Sequence, residues 1–160
     1  LFQLEVFAAY QKIDATAKYL MLGKGDMAQN VVRKAADLGV ENGLIIHGPV
    51  DDPAPFYSAL DAFLMPSIHE GLSFAQIEAQ CASLPILSSK TMPAEGDITN
   101  LSHHLALEDS VSDWAQRLYY LAMNTVGSRD GHYADEVAVA GFSADTCSEE
   151  VLRILENQRA

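Results

Sequence analysis

The chain has 160 residues, of which 49% are hydrophobic and 20% charged, and carries a formal net charge of −12. That length supports one domain with its own core. The acidity, with ten Lys and Arg residues in no cluster, argues against nucleic acid and against an anionic membrane surface as partners, because both want a basic face.

Strand-like and helix-like segments alternate along the chain. Residues 1 to 13 read as an amphipathic helix with Leu4, Phe7, Ala8 and Ile13 on one side, not as a signal peptide. Lys18 to Gly23 reads as a strand ending in Gly-Lys-Gly. Asp26 to Leu38 reads as a helix, N-capped by Asp26 and closed by Gly39. Gly43 to His47 is a strand, and Asp52-Pro53-Ala54-Pro55 opens a short helix through Leu60, since proline suits a first turn. A strand at 62–65, a helix at 73–83, a strand at 85–88 and a weaker strand from His104 to Leu107 follow. Val111 to Asn124 is a helix with Val111, Trp114, Leu118 and Leu121 inward. Residues 127 to 132 form a polar loop, and a last helix covers about 144–157. The order predicts an α/β, Rossmann-like, doubly wound and mostly parallel sheet flanked by helices. The expected division is a domain over 1–142 and a C-terminal helix over 143–160 that packs on it or leaves it. The loops 23–25, 47–52 and 66–73 all follow strands, so they are expected to converge at the carboxyl edge of the sheet.

The densest chemistry lies between Pro66 and Ala79. Ser73 with Gln76 three residues later has the form of a capping box, which starts a helix at that point. From there Phe74, Ile77 and Cys81 recur at helical spacing, with Glu78 on the same stripe. A carboxylate on a buried face is costly unless it is hydrogen-bonded. Glu70 precedes the helix, where unpaired backbone N–H groups attract anions. Together these residues suggest a ligand with both hydroxyls and phosphates.

Glu70-Gly71 followed by Glu78-Ala79 and Leu84-Pro85-Ile86-Leu87-Ser88 resembles the E-x7-E region of retaining glycosyltransferases of the GT-B fold. The chain is similar in particular to family 4 enzymes of bacterial exopolysaccharide and capsular polysaccharide synthesis. Leu22-Gly23-Lys24-Gly25, Ile46 to Asp52, Asp61 to Ser67 and Pro93 to Thr99 fall in the family's order. The resemblance covers most of residues 1–125 and implies the donor-binding half of such an enzyme. It implies that Glu78 bonds the ribose hydroxyls of a nucleotide diphosphate sugar and that Glu70, the candidate catalytic residue, contacts the donor sugar. By the same resemblance Gly71, Leu72 and Ser73 present backbone N–H groups to sugar and phosphates, and Gly71, lacking a Cβ, allows close approach. Gly23 and Lys24 correspond to a Gly-rich loop near the phosphates. His47, Gly48 and Val50 lie in the loop whose backbone reads the nucleobase. No cofactor and no metal is expected beyond the donor itself. The resemblance also implies a strand, a loop with a phosphate-holding Arg and Lys, and an acceptor-binding domain, all expected upstream of residue 1. The missing strand would sit between those at 18–23 and 62–65.

Other candidates yield to plainer readings. His69 is tempting beside Glu70 as an acid–base group, but the family pattern often has a small or aromatic residue there. His103-His104 has no third ligand at a fitting spacing and, on a strand, points to opposite faces. Ser67 and Ser88 lie in no nucleophile elbow, and Trp114 belongs to a core stripe. Two cysteines, Cys81 and Cys147, give no disulfide framework. No apolar run approaches the ~20 residues that span a bilayer, and the cysteine usage makes a reducing, cytoplasmic setting the expectation, with any contact at the inner membrane face made through the missing domain. A nucleotide-sugar epimerase of the same fold, or a non-catalytic nucleotide-sugar-binding module, is the alternative.

Overall fold

Ile86 and Leu87 are neighbours on one strand and both fully buried, and they point into different cores. This places their strand in the middle of a layered α/β structure. The computed structural model describes residues 1–125 and 131–157. In chain order the elements are α1 (Phe2–Gln11), β1 (Tyr19–Leu22), α2 (Ala28–Leu38), β2 (Leu44–His47), α3 (Ala54–Ala59), β3 (Phe63–Met65), α4 (Phe74–Cys81), β4 (Ile86–Ser89), β5 (Ser102–Leu105), α5 (Val111–Thr125), α6 (His132–Val137) and α7 (Ala144–Asn157). A short 3₁₀ turn at Ala94–Gly96 and a wide turn at Ala138–Phe142 complete them. The sequence signalled neither turn, nor α6. The polar loop expected at 127–132 lies largely outside the described residues.

All strand pairs are parallel, which agrees with the expected α/β class. The strands form two ladders instead of one sheet: β1 with β2, and β3-β4-β5. Among the described residues nothing pairs with the second edge of β1 or of β3. Between those edges runs a groove of about 760 Å³, lined by Tyr19, Leu20, Met21, Phe63 and Leu64 with side chains from α1, α3 and α5.

Three packed clusters hold the layers. Val6, Leu87, Trp114, Ala115 and Leu121 join α1 and α5 to one face of β4, and Phe2 sets its ring edge-on to Trp114 at 5.5 Å. Tyr57, Ala79, Leu84 and Ile86 pack α3 and α4 on the other face. Phe7, Ala35 and Val40 pack α1 and α2 beside β1 and β2. Val6 and Phe7, adjacent on α1, thus serve both ladders, so α1 helps to tie them together.

Several local expectations need correction. Ile13 lies beyond the end of α1 and is exposed, while Val6 is buried in its stead. Asp26 does not cap α2; Met27 occupies that position without a side-chain bond. Gly39 closes α2 as expected, with φ 69 in the left-handed region that costs other residues energy. The strand expected at 104–107 runs from Ser102 to Leu105, because its partner is β4 from Ile86 onward.

Candidate functional site

The helix α4 begins where the sequence places it. Ser73 has an extended backbone and its hydroxyl accepts from the Gln76 N–H at 3.4 Å. The reciprocal half of the capping box is missing, because the Gln76 side chain turns inward and donates to Asp97 at 2.7 Å and Ser102 at 3.4 Å. Gln80 is fully buried and donates to the Gly96 carbonyl at 2.8 Å, while its oxygen accepts from the backbone N–H of Thr99 at 2.8 Å and its hydroxyl at 2.9 Å. The Gln80 amide is thus satisfied at both ends and can be buried at little cost, whereas among the described residues nothing donates to the buried Gln76 Oε1, so Gln76 is the costlier of the two.

That arrangement corrects the expected stripe. The inward face of α4 is Gln76, Ile77, Ala79 and Gln80, whereas Phe74 is 69% exposed and Cys81 is exposed. Glu78 therefore sits on the exposed face, not on a buried one. It still has a fixed partner: the Tyr57 hydroxyl donates to Glu78 Oε2 at 3.0 Å. Burial pushes the Tyr57 phenol well above its ordinary value, and the Glu78 carboxylate raises it further. The phenol thus remains a donor. Burial, with a smaller contribution from Glu78, also raises the Cys81 thiol.

Glu70 is half-buried at the entrance of α4 and accepts from the Ser67 hydroxyl at 3.0 Å. Ser67 is itself anchored, since its carbonyl accepts from the hydroxyls of Ser89 and Thr91, the latter at 2.9 Å. Gly71 and Leu72 are exposed between Glu70 and the buried Ser73. Alongside lies a cleft of about 560 Å³ between the start of α1 and the 66–69 loop, lined by Phe2, Gln3, Pro66, Ser67, Ile68 and His69 among others.

The loops of the other ladder meet each other. Gly23, at φ 118, donates its N–H to the His47 carbonyl at 3.1 Å and to that of Gly48 at 3.4 Å. Lys24 is exposed, as are His47 and Gly48, and Val50 is half-buried. The His47 ring meets Phe56 of α3 at 5.0 Å. The predicted residues thus fall into two sets, Gly23 to Val50 on the first ladder and Glu70 to Glu78 on the second, and α3 touches both. Tyr57, Phe56 and Ser67 escaped the sequence reading. Ser67 stands three positions before Glu70, near enough in the chain for a local side-chain bond.

A serine, a histidine and an aspartate also line up elsewhere. Ser88 Oγ lies 2.9 Å from His104 Nδ1, and His104 Nε2 lies 2.9 Å from Asp97 Oδ2. Ser88 is fully buried within β4, so no substrate reaches it, and the chain of bonds through Asp97 to Gln76 fastens α4 to β5. His103 faces the other way, 3.1 Å from Arg117. Burial foremost, then the charges of Arg117 and His104, lowers its pKa from 6.5. Folded His103 thus binds a proton less readily than the unfolded chain does, so its contribution is present above pH about 6.5 and is lost as pH falls through its folded value. Denaturant midpoints measured from pH 7 down to 5 should fall, and His103→Gln should flatten part of that slope.

Among the described residues no group of three or more His, Cys, Asp or Glu could hold a metal ion, and no helix is long and apolar enough to cross a membrane. Two kinds of relative match the chain. It is 26% identical over 140 residues to the lipopolysaccharide core biosynthesis glycosyltransferase LpsE of Rhizobium meliloti, covering 86% of this chain and 41% of that protein. It is 24% identical over 118 residues to the putative glycosyltransferase EpsF of Bacillus subtilis, covering 73% and 31%. The chain therefore spans less than half the length of these curated relatives. Its fold is similar to that of S. aureus TarM, solved with fondaparinux, alpha-GlcNAc-glycerol and UDP, at a TM-score of 0.78 and 21% identity, covering 95% of this chain and 31% of that one. It is also similar to the pneumococcal O-GlcNAc transferase GtfA, solved with UDP and GlcNAc, at 0.74 and 14%, covering 98% and 32%. A model of the family described as "Glycosyl transferases group 1" matches residues 2–124, across both loop sets and α4, and the chain belongs to that family.

Proposed function

We propose that these residues form the donor-binding part of a retaining glycosyltransferase, which moves a sugar from a nucleotide diphosphate donor to a polysaccharide or lipid-linked acceptor in the cytoplasm. The observation that carries the reading is the pair of glutamates on α4 and its entrance, each held by one hydroxyl. Glu78 takes the ribose and Glu70 the donor sugar. Backbone N–H groups of Gly71, Leu72 and Ser73 face the sugar and phosphates, with the cleft beside α1 as the space for them. Gly23 and Lys24 lie towards the phosphates, and His47, Gly48 and Val50 border the base. Several similar folds were solved with UDP, which makes a uridine nucleotide the first donor to try. Such a transfer rests on holding the departing diphosphate, and needs no metal in this reading.

The acceptor-binding partner domain belongs to the share of the relatives' length that this chain does not span. The groove between β1 and β3 suits one further parallel strand, since among the described residues no strand pairs with either facing edge. The reading is tested by titrating UDP, GDP and ADP into isotope-labelled protein. Amide shifts clustered at 70–78 and 47–50 are expected with one of the three, and silence with all three would sink the proposal. In a transfer assay the 160 residues alone should bind without turnover.

A further inference from the structure

The short helix α3 places two neighbouring aromatic residues on the two halves of the site. Its start is fixed by Pro53 and by Asp52, whose carboxylate accepts the Ala54 N–H at 3.0 Å. Phe56 reaches back to His47. Tyr57 points the other way, the residue only 8% exposed, packed with Ala79, Leu84 and Ile86 and edge-on to Phe63 at 5.8 Å. The phenol oxygen is therefore fixed by core packing, and it is this fixed atom that meets the exposed carboxylate of Glu78.

An exposed glutamate samples many rotamers, and ordering it on binding a ligand costs free energy. Tyr57 removes much of that freedom beforehand. Its bond uses one acceptor position on Oε2 and leaves Oε1, with the second lone pair of Oε2, for other donors. Two acceptor oxygens held in one plane match two vicinal hydroxyls. We propose that Tyr57 is a positioning residue: it holds Glu78 in the rotamer that accepts a vicinal diol, and so makes the site favour nucleoside diphosphates with free 2′ and 3′ hydroxyls. The inference rests on the reading that Glu78 takes the ribose.

The test compares dissociation constants, by calorimetry on the full-length protein, for UDP and 2′,3′-dideoxy-UDP, or for the GDP or ADP pair if the titration selects that base. Wild type should prefer the diol by about tenfold or more, the range of hydrogen bonds to a charged group. Tyr57→Phe keeps the ring and its packing, so the melting midpoint should hold. It should lose most of that preference, weakening UDP about fivefold while leaving the dideoxy compound within about twofold. If Tyr57→Phe weakens both compounds alike, the residue is merely structural and the inference fails. If Tyr57→Phe keeps the preference while Glu78→Gln abolishes it, the ribose contact stands and the positioning role falls. If wild type shows no preference, or binds none of the three nucleotides, both fall.

Discussion

Replacing Glu78 with glutamine should weaken donor nucleotide about ten- to a hundredfold, the equivalent of about 1.5–3 kcal/mol for hydrogen bonds to a charged acceptor. The change should leave the fold intact. Glu78 is on the exposed face of α4 and takes no part in the packed clusters. Glutamine has nearly the same shape, and its carbonyl oxygen can still accept from Tyr57, so no buried donor is left unpaired. What it loses is charge and one acceptor: its NH₂ presents donors where hydroxyls of a ligand would also donate. Calorimetry with UDP, GDP and ADP, next to a thermal melt of the same variant, checks both halves. Unchanged affinity with an unchanged melt would remove Glu78 from the site.

Trp114→Ala should have the largest effect on stability, about 3–5 kcal/mol from lost burial and the cavity left behind. Trp114 is fully buried on α5, among Val6, Leu87 and Leu121, with Phe2 edge-on. Its indole N–H donates to the Ala106 carbonyl at 2.9 Å, a bond that alanine loses, although that carbonyl keeps the Asp109 N–H at 3.1 Å. Against a total of about 5–15 kcal/mol for a typical domain, such a loss is severe. Urea unfolding should show a much lower midpoint, with Trp114→Phe in between because the ring volume largely survives. A loss under about 1 kcal/mol would mean that the α1–α5 face is far looser than its packing indicates. Because α1 serves both ladders, this variant should also blur the spacing between the two loop sets.

Much of this protein was legible in its residues. The alternation of apolar runs and helical stripes gave parallel α/β order, Gly39 marked a helix end, and Ser73 marked the start of α4. These are local matters, decided by propensity, capping and short-range backbone geometry. The same holds for Glu70 and Glu78, whose spacing and position at a helix entrance are written in sequence.

The faces and partners were not legible. Apolar periodicity put Phe74 and Cys81 inward, but Gln76 and Gln80 occupy the interior of α4: Gly96 and Thr99 satisfy the Gln80 amide, and Asp97 and Ser102 accept from the Gln76 NH₂, whose oxygen has no donor among the described residues. Those partners lie sixteen or more positions away in the chain, and no window along α4 contains them. The partner of Glu78 likewise comes from elsewhere, Tyr57 from α3, and although Ser67 is a near neighbour of Glu70, the hydroxyls of Ser89 and Thr91 that anchor it are far along the chain. The sheet divided into two ladders for a related reason, since strand adjacency depends on which edges meet in space. Sequence alone determined the parallel α/β order through α5 and the spacing of the two carboxylates; only the tertiary structure decided that Glu78 faces solvent against the hydroxyl of a buried tyrosine, because burial and hydrogen-bond satisfaction are settled by residues far apart in the chain.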